Sequence, residues 1–179
     1  MKYFLDQEFI EGFHKPLFGK RRHFIDLISI GIVSEDNREY YAISKDFDLK
    51  AAWNKWQQRT GEGDRNNHDP RHYWLRENVL RSIFVDLKEM YKVDLSRMER
   101  LSVLHTPRKN YWLFNYKNLK WLLNEYGKSN NIIANDICAF IYGDDCGGGG
   151  MSAIEMAYKY DITDKSKLPQ FYGYYSDYD

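Results

Sequence analysis

The chain has 179 residues, 43% of them hydrophobic and 17% aromatic, which is enough apolar material for one domain with a real core and too much for disorder. Its 26 basic and 26 acidic residues cancel, so global charge gives no support for nucleic-acid binding, and any such binding must use a local patch. No apolar run approaches the roughly 18 residues of a membrane span, no charged-then-apolar leader precedes the first strand, and Cys138 and Cys146 lack metal-finger spacing and read as free thiols of a cytosolic protein.

Tyr3, Phe4, Leu5, Phe9 and Ile10 predict a strand at the start of the chain. Asp6 and Glu8 interrupt it at i and i+2, so both carboxylates point to one face. Two neighbouring carboxylates repel unless a cation sits between them, and Mg²⁺ or Mn²⁺ prefers carboxylate oxygens. The competing reading ends the apolar run at Leu5 and leaves both acids solvated.

Residues 11–24 read as a loop punctuated by Gly12, Pro16 and Gly19. Lys15, Lys20, Arg21 and Arg22 alternate there with Phe13, Phe18 and Phe24, beside His14 and His23. Cations interleaved with aromatics suit an RNA backbone and its bases. A solvated loop whose rings cover the core edge explains the same residues and is the commoner case.

Residues 25–34 are β-branched and nearly continuous, as expected of a central strand covered on both faces. A polar turn at Glu35-Asp36-Asn37-Arg38 leads into a strand over 39–44, which makes a hairpin antiparallel to its neighbours. Asp48 is placed to cap a helix over about 49–58. A long polar loop follows at 57–72, where His68, Asp69 and His72 form no recognised metal spacing.

Apolar stripes predict a helix over about 73–92. The stretch 93–116 is ambiguous, and His105 in it reads as an ordinary surface or partly buried residue. Helices are expected from Asn118 to Tyr126, ended by Gly127, and from Asn130 to Tyr142. Gly143 to Gly150 reads as a flexible connector, since no Lys-Ser/Thr follows it as a phosphate-binding loop requires. Ser152 and Glu155 predict a capping box for a helix to about Tyr160, and residues 170–178 are aromatic and strand-like.

Three of these stretches together resemble a known family. Asp6-Gln7-Glu8-Phe9-Ile10, the strand Ile25 to Val33, and Arg38-Glu39-Tyr40-Tyr41-Ala42-Ile43-Ser44 are similar to the 3′–5′ exoribonucleases typified by bacterial ribonuclease AS, which are DnaQ-like exonucleases of the DEDDh type. The family's Asp-x-Glu motif is matched by Asp6 and Glu8, with Gln7 where Thr is common, and its aromatic strand ending in Tyr-Asp is matched by Tyr178-Asp179. The resemblance covers roughly residues 1–50 and 170–179.

It implies an α/β, ribonuclease H-like mixed sheet flanked by helices, as a single domain over 1–179 with a helical and loop insertion at about 49–168. It also implies two Mg²⁺ or Mn²⁺ ions held by Asp6, Glu8 and Asp179, and hydrolysis of single-stranded RNA from its 3′ end with a preference for adenylate. The family tends to form homodimers. Its histidine general base and fourth acid should follow the Tyr-Asp strand, yet all five histidines precede Asp179. The expectation is therefore a fold missing its C-terminal part with no general base in this chain. The alternative is a module that keeps the fold and binds RNA or another partner without catalysis. A sheet missing its last part leaves an exposed edge and an uncovered apolar face, so the chain is expected either to associate with itself or to expose aromatics around Phe171 to Tyr178.

Overall fold

A computed structural model describes residues 1–14, 20, 22–58, 71–100, 113–143 and 169–173, apart from the side chains of 14, 58 and 94–100. Its elements in chain order are β1 (Lys2–His14), β2 (Arg22–Ser34), β3 (Glu39–Ile43), α1 (Leu49–Asn54), β4 (Gln57–Gln58), β5 (Arg71–His72), a π-helical turn (Leu75–Leu80), α2 (Arg81–Arg100), α3 (Tyr116–Tyr126), α4 (Asn130–Tyr142) and β6 (Gln170–Gly173). The protein is therefore α/β, with a mixed four-stranded sheet in the order β3-β2-β1-β6. This architecture is compatible with a ribonuclease H-like fold.

The sheet grows from the hairpin. Asn37 takes the left-handed conformation at φ 63°, which Asn tolerates better than most residues, and Asn37 N donates to Ser34 O at 2.9 Å. Arg38 closes the turn through Asp36, its Nε donating to Oδ2 at 2.8 Å. β3 then pairs antiparallel with β2, from Val33 opposite Glu39 to Ser29 opposite Ile43. β6 pairs parallel with β1, from Lys2 opposite Gln170 to Leu5 opposite Gly173.

β1 and β2 are both longer than their apolar runs predict. Residues 11–14 and 22–24 were expected in a loop, but they continue the two strands. Gly12 permits this. A Cβ built there lies 2.6 Å from Phe24 Cε1 and Cζ, so the Phe24 ring occupies the space a side chain would need. Gly12→Ala is thus expected to displace that ring and lower stability by about 1–3 kcal/mol. Thermal unfolding measures this, and Phe24→Leu in the Gly12→Ala background should recover much of the loss.

The chain forms two compact units. The first comprises Met1–Phe9, Leu27–Asp46 and Lys128–Asp179, and the second Ile10–Asp26 and Phe47–Gly127. In the first unit, Tyr3, Ile30, Ile32 and Ala42 bury one sheet face with Ile133 of α4, and Leu5, Tyr40, Ile137, Phe140 and Ile141 pack around them. Ser129 caps α4 and accepts from Ile132 N, while Ser44 Oγ donates to Asn130 Oδ1 at 2.8 Å. At the other end, Arg38 Nη1 donates to Phe140 O at 2.7 Å and Tyr3 OH donates to Ile141 O at 3.1 Å. These two donors satisfy helix-end carbonyls that have no partner within the helix.

In the second unit α2 packs against α3 and the π-helical turn against α1, around Leu80, Ile83, Phe84, Leu87, Leu119 and Leu122. Asp48 caps α1 as expected, its Oδ1 accepting from Ala51 N at 2.9 Å, but the helix stops at Asn54 because Lys55 is extended. The ends of the polar loop pair as β4 and β5. The helix expected over 73–92 is real but opens as a π-helix, with Arg81 N donating to Arg76 O. Asn115 caps α3 through Asn118 N at 2.9 Å. Among the described residues no helix is long and apolar enough to cross a membrane. The capping-box helix at 152–160, the connector after Gly143, His68 and His105 lie outside the described residues.

Candidate active site

Asp6 and Glu8 project from the middle of β1, two residues apart on a strand, as the i, i+2 rule requires. Asp6 is exposed and Glu8 half-buried. Burial pushes the Glu8 carboxyl above its ordinary range, and the neighbouring Asp6 charge pushes it the same way. The pair thus behaves as adjacent, mutually repelling acids, in line with the spacing argument.

The strand opposite explains why this face is open. Glu35 N donates to Lys2 O at 3.0 Å, and Phe24 covers Gly12, so β1 and β2 run antiparallel. Counting four residues along each strand from Lys2 and Glu35 brings Asp6 opposite Gly31. A Cβ placed on Gly31 would stand 3.9 Å from Asp6 O, which agrees. Gly31 in turn pairs with Tyr41 on β3. The row across the sheet is therefore carboxylate, bare backbone, phenol. The residue that leaves room beside Asp6 is a glycine inside an apolar run, a signal that alternation alone does not single out.

The same count places Phe4 opposite Val33 and on the Asp6 side of the sheet. Phe4 stacks on Tyr172 of β6 with ring centroids 5.5 Å apart, and the two are 50% and 45% exposed. The prediction of exposed aromatics after residue 170 is seen in Phe171 and Tyr172. β2, expected to be covered on both faces, exposes Ile25 and Val33.

The remaining predicted site residues fall in different places. Lys20 and Arg22 are described and exposed, whereas Lys15, Arg21 and Asp179 lie outside the described residues. β6 ends at Gly173, opposite Leu5 and so one position short of Asp6 on the neighbouring strand. His23 Nε2 stands 3.8 Å from Glu11 Oε2 and His72 Nε2 3.6 Å from Glu77 Oε2. Among the described residues no group of three His, Cys, Asp or Glu converges.

A second polar cluster lies on the α4 side. Asp136 Oδ2 accepts from Lys128 Nζ at 2.6 Å and from Tyr40 OH at 3.2 Å. Burial, then the Asp136 charge, raises the Tyr40 phenol well beyond its ordinary value, so it stays a donor. These bonds anchor α4 to β3.

The Glu8 shift has a pH signature. Its folded-state pKa is raised, so below the ordinary glutamate pKa both folded and unfolded chains hold the proton and no penalty exists. The penalty builds as pH climbs through the raised value and is complete above it. Glu8→Gln is expected to stabilise the cation-free protein at neutral pH and to have no such effect in acid. Melting temperatures across pH in EDTA measure this.

Two curated proteins of Mycobacterium tuberculosis, from the strains CDC 1551 / Oshkosh and ATCC 25618 / H37Rv, are each 52% identical to this chain over 52 residues. Both are described as 3′–5′ exoribonucleases. The match covers 29% of this chain and 26% of each relative, so the chain spans about a quarter of the length of the curated relatives it matches. No family model matches the chain.

Proposed function

We propose that the chain is a metal-dependent 3′–5′ exoribonuclease, hydrolysing phosphodiester bonds from the 3′ end of single-stranded RNA. The observation that carries this reading is the Asp6–Glu8 pair on an open sheet face, with Glu8 held above its ordinary pKa beside Asp6. Partial identity to proteins described as 3′–5′ exoribonucleases supports it.

The donor chemistry fits Mg²⁺ or Mn²⁺. Both side chains offer hard oxygen ligands, and a divalent cation would offset the burial and the Asp6 charge that together raise Glu8. Asp6 and Glu8 would hold it, with Asp179, which the family resemblance makes the third acid, as a further ligand. When bound, the ions supply an activated water and neutralise charge on the scissile phosphate.

The chain's own residues do the rest. β1 lies between β2 and β6, with β6 paired as far as Leu5, and this fixes the strand from which Asp6 and Glu8 project. Gly31 keeps the volume beside Asp6 free for a phosphate. Glu8 would also contact the terminal sugar, as the family resemblance implies, where a 2′-hydroxyl tells RNA from DNA. Lys15, Lys20, Arg21 and Arg22 supply cations for the RNA backbone. The adenylate preference and the homodimer implied by the family resemblance belong to the same proposal.

Linear and covalently closed RNA of one sequence test the reading. With Mn²⁺ the linear RNA is expected to shorten while the circle persists. Cutting of the circle contradicts an exonuclease. Binding of both without cutting favours the non-catalytic module.

A further inference from the structure

We propose that the second unit carries a binding surface for the phosphodiester backbone of single-stranded nucleic acid, built from Arg76 and Arg81 on a floor of aromatic rings. It rests on the exoribonuclease reading only for the identity of the natural strand.

The zero net charge of the chain is a cancellation between its two units. The first unit holds 7 Lys and Arg against 14 Asp and Glu, and the second 19 against 12. The formal charges are therefore −7 and +7. The excess of acids lies in the unit with Asp6 and Glu8, and the excess of cations in the other. A polyanion is drawn to the basic unit by a field that the whole-chain charge conceals.

Within that unit one cluster has the chemistry to grip a strand. The Arg76 guanidinium lies 3.9 Å from the Tyr73 ring centroid and 5.4 Å from that of Trp53. The Arg81 guanidinium lies 4.9 Å from the Phe114 centroid, and Trp53 and Phe114 are 5.1 Å apart. Residues five apart diverge on an α-helix, whose faces repeat at three and four. The π-helical turn closes i→i+5 bonds, here Arg81 N to Arg76 O, and so brings Arg76 and Arg81 toward one face. Both then meet the same aromatic cluster. A guanidinium lying flat on a ring keeps its N–H edge for phosphate oxygens. Glu77 Oε1 stands 4.0 Å from Arg76 Nη2, while its Oε2 faces His72.

The test uses the full chain in EDTA, so that nothing is cut. Fluorescence anisotropy follows 5′-fluorescein oligoadenylate and oligodeoxythymidylate of equal length against salt. Both are expected to bind, with the logarithm of the affinity falling linearly in the logarithm of the salt concentration. The double variant Arg76→Gln, Arg81→Gln should bind at least tenfold more weakly, with a slope smaller by about 1.4, two single-strand phosphate contacts. The pair Arg76→Lys, Arg81→Lys keeps the charge and should recover the slope but not the full affinity. Salt-independent binding by wild type, or unchanged affinity and slope in a Gln double variant of native melting temperature, overturns the proposal. So does tighter capture of polyglutamate than of oligonucleotide, which assigns the face to acidic proteins. Binding without cleavage under Mn²⁺ upholds this surface and contradicts the exoribonuclease reading, whereas cleavage with an unaffected double variant does the reverse.

Discussion

Asp6→Asn is expected to reduce RNA shortening by about 10³-fold or more, because cation-held charge stabilisation is worth several kcal/mol in the transition state. The substitution keeps size and shape, and Asp6 is exposed, so the fold should persist. It also removes one cause of the raised Glu8 pKa, so the cation-free protein should melt no lower than wild type. Loss of activity with native stability separates a ligand from a structural acid. A fall in both would make Asp6 a structural residue. Single-turnover cleavage and thermal melting on the same preparation give the two readouts.

Gly31→Val is the second large effect. Glycine in a strand costs roughly 0.5–1 kcal/mol, and a β-branched residue suits a strand, so the variant should be at least as stable as wild type. A Cβ at this position meets Asp6 O at 3.9 Å, an ordinary contact. The valine methyls would nonetheless occupy the space beside the Asp6 carboxylate. Displacing a reacting phosphate by about 1 Å costs on the order of 10²-fold. Gly31→Val is therefore expected to be a stable protein with poor kcat and a weakened response to Mn²⁺. Activity equal to wild type would show that the phosphate does not approach across Gly31.

Much of this was legible before any coordinates. Apolar runs mark β1, β2 and β3, and Glu35-Asp36-Asn37-Arg38 marks the turn between the last two. Asp48 caps α1 as its position predicts, and the helix expected from Asn118 starts two residues earlier, at Tyr116. Asp6 and Glu8 announce themselves because acids are costly in an apolar strand.

Other features were hidden for physical reasons. Gly12 looks like loop punctuation, yet its value is the room it leaves for a cross-strand ring. Gly31 looks like one more small residue in a hydrophobic run, and only the antiparallel register places it beside Asp6. The charge asymmetry is invisible in a total that sums to zero, because the acidic and basic residues separate only after the chain has folded into units. The π-helical turn has the same apolar stripes as an α-helix, so periodicity calls it helix and misses the shift that aligns Arg76 with Arg81. Arg38 and Tyr3 reach α4 across about a hundred residues or more, beyond any local pattern.

The most direct test is a time course of 5′-labelled oligoadenylate with Mn²⁺, using wild type and Asp6→Asn side by side. Wild type should give a ladder shortening one nucleotide at a time from the 3′ end, and Asp6→Asn should leave the oligonucleotide intact. An intact oligonucleotide in both lanes, or the same ladder in both, would contradict the assignment of this sheet face as a nuclease centre.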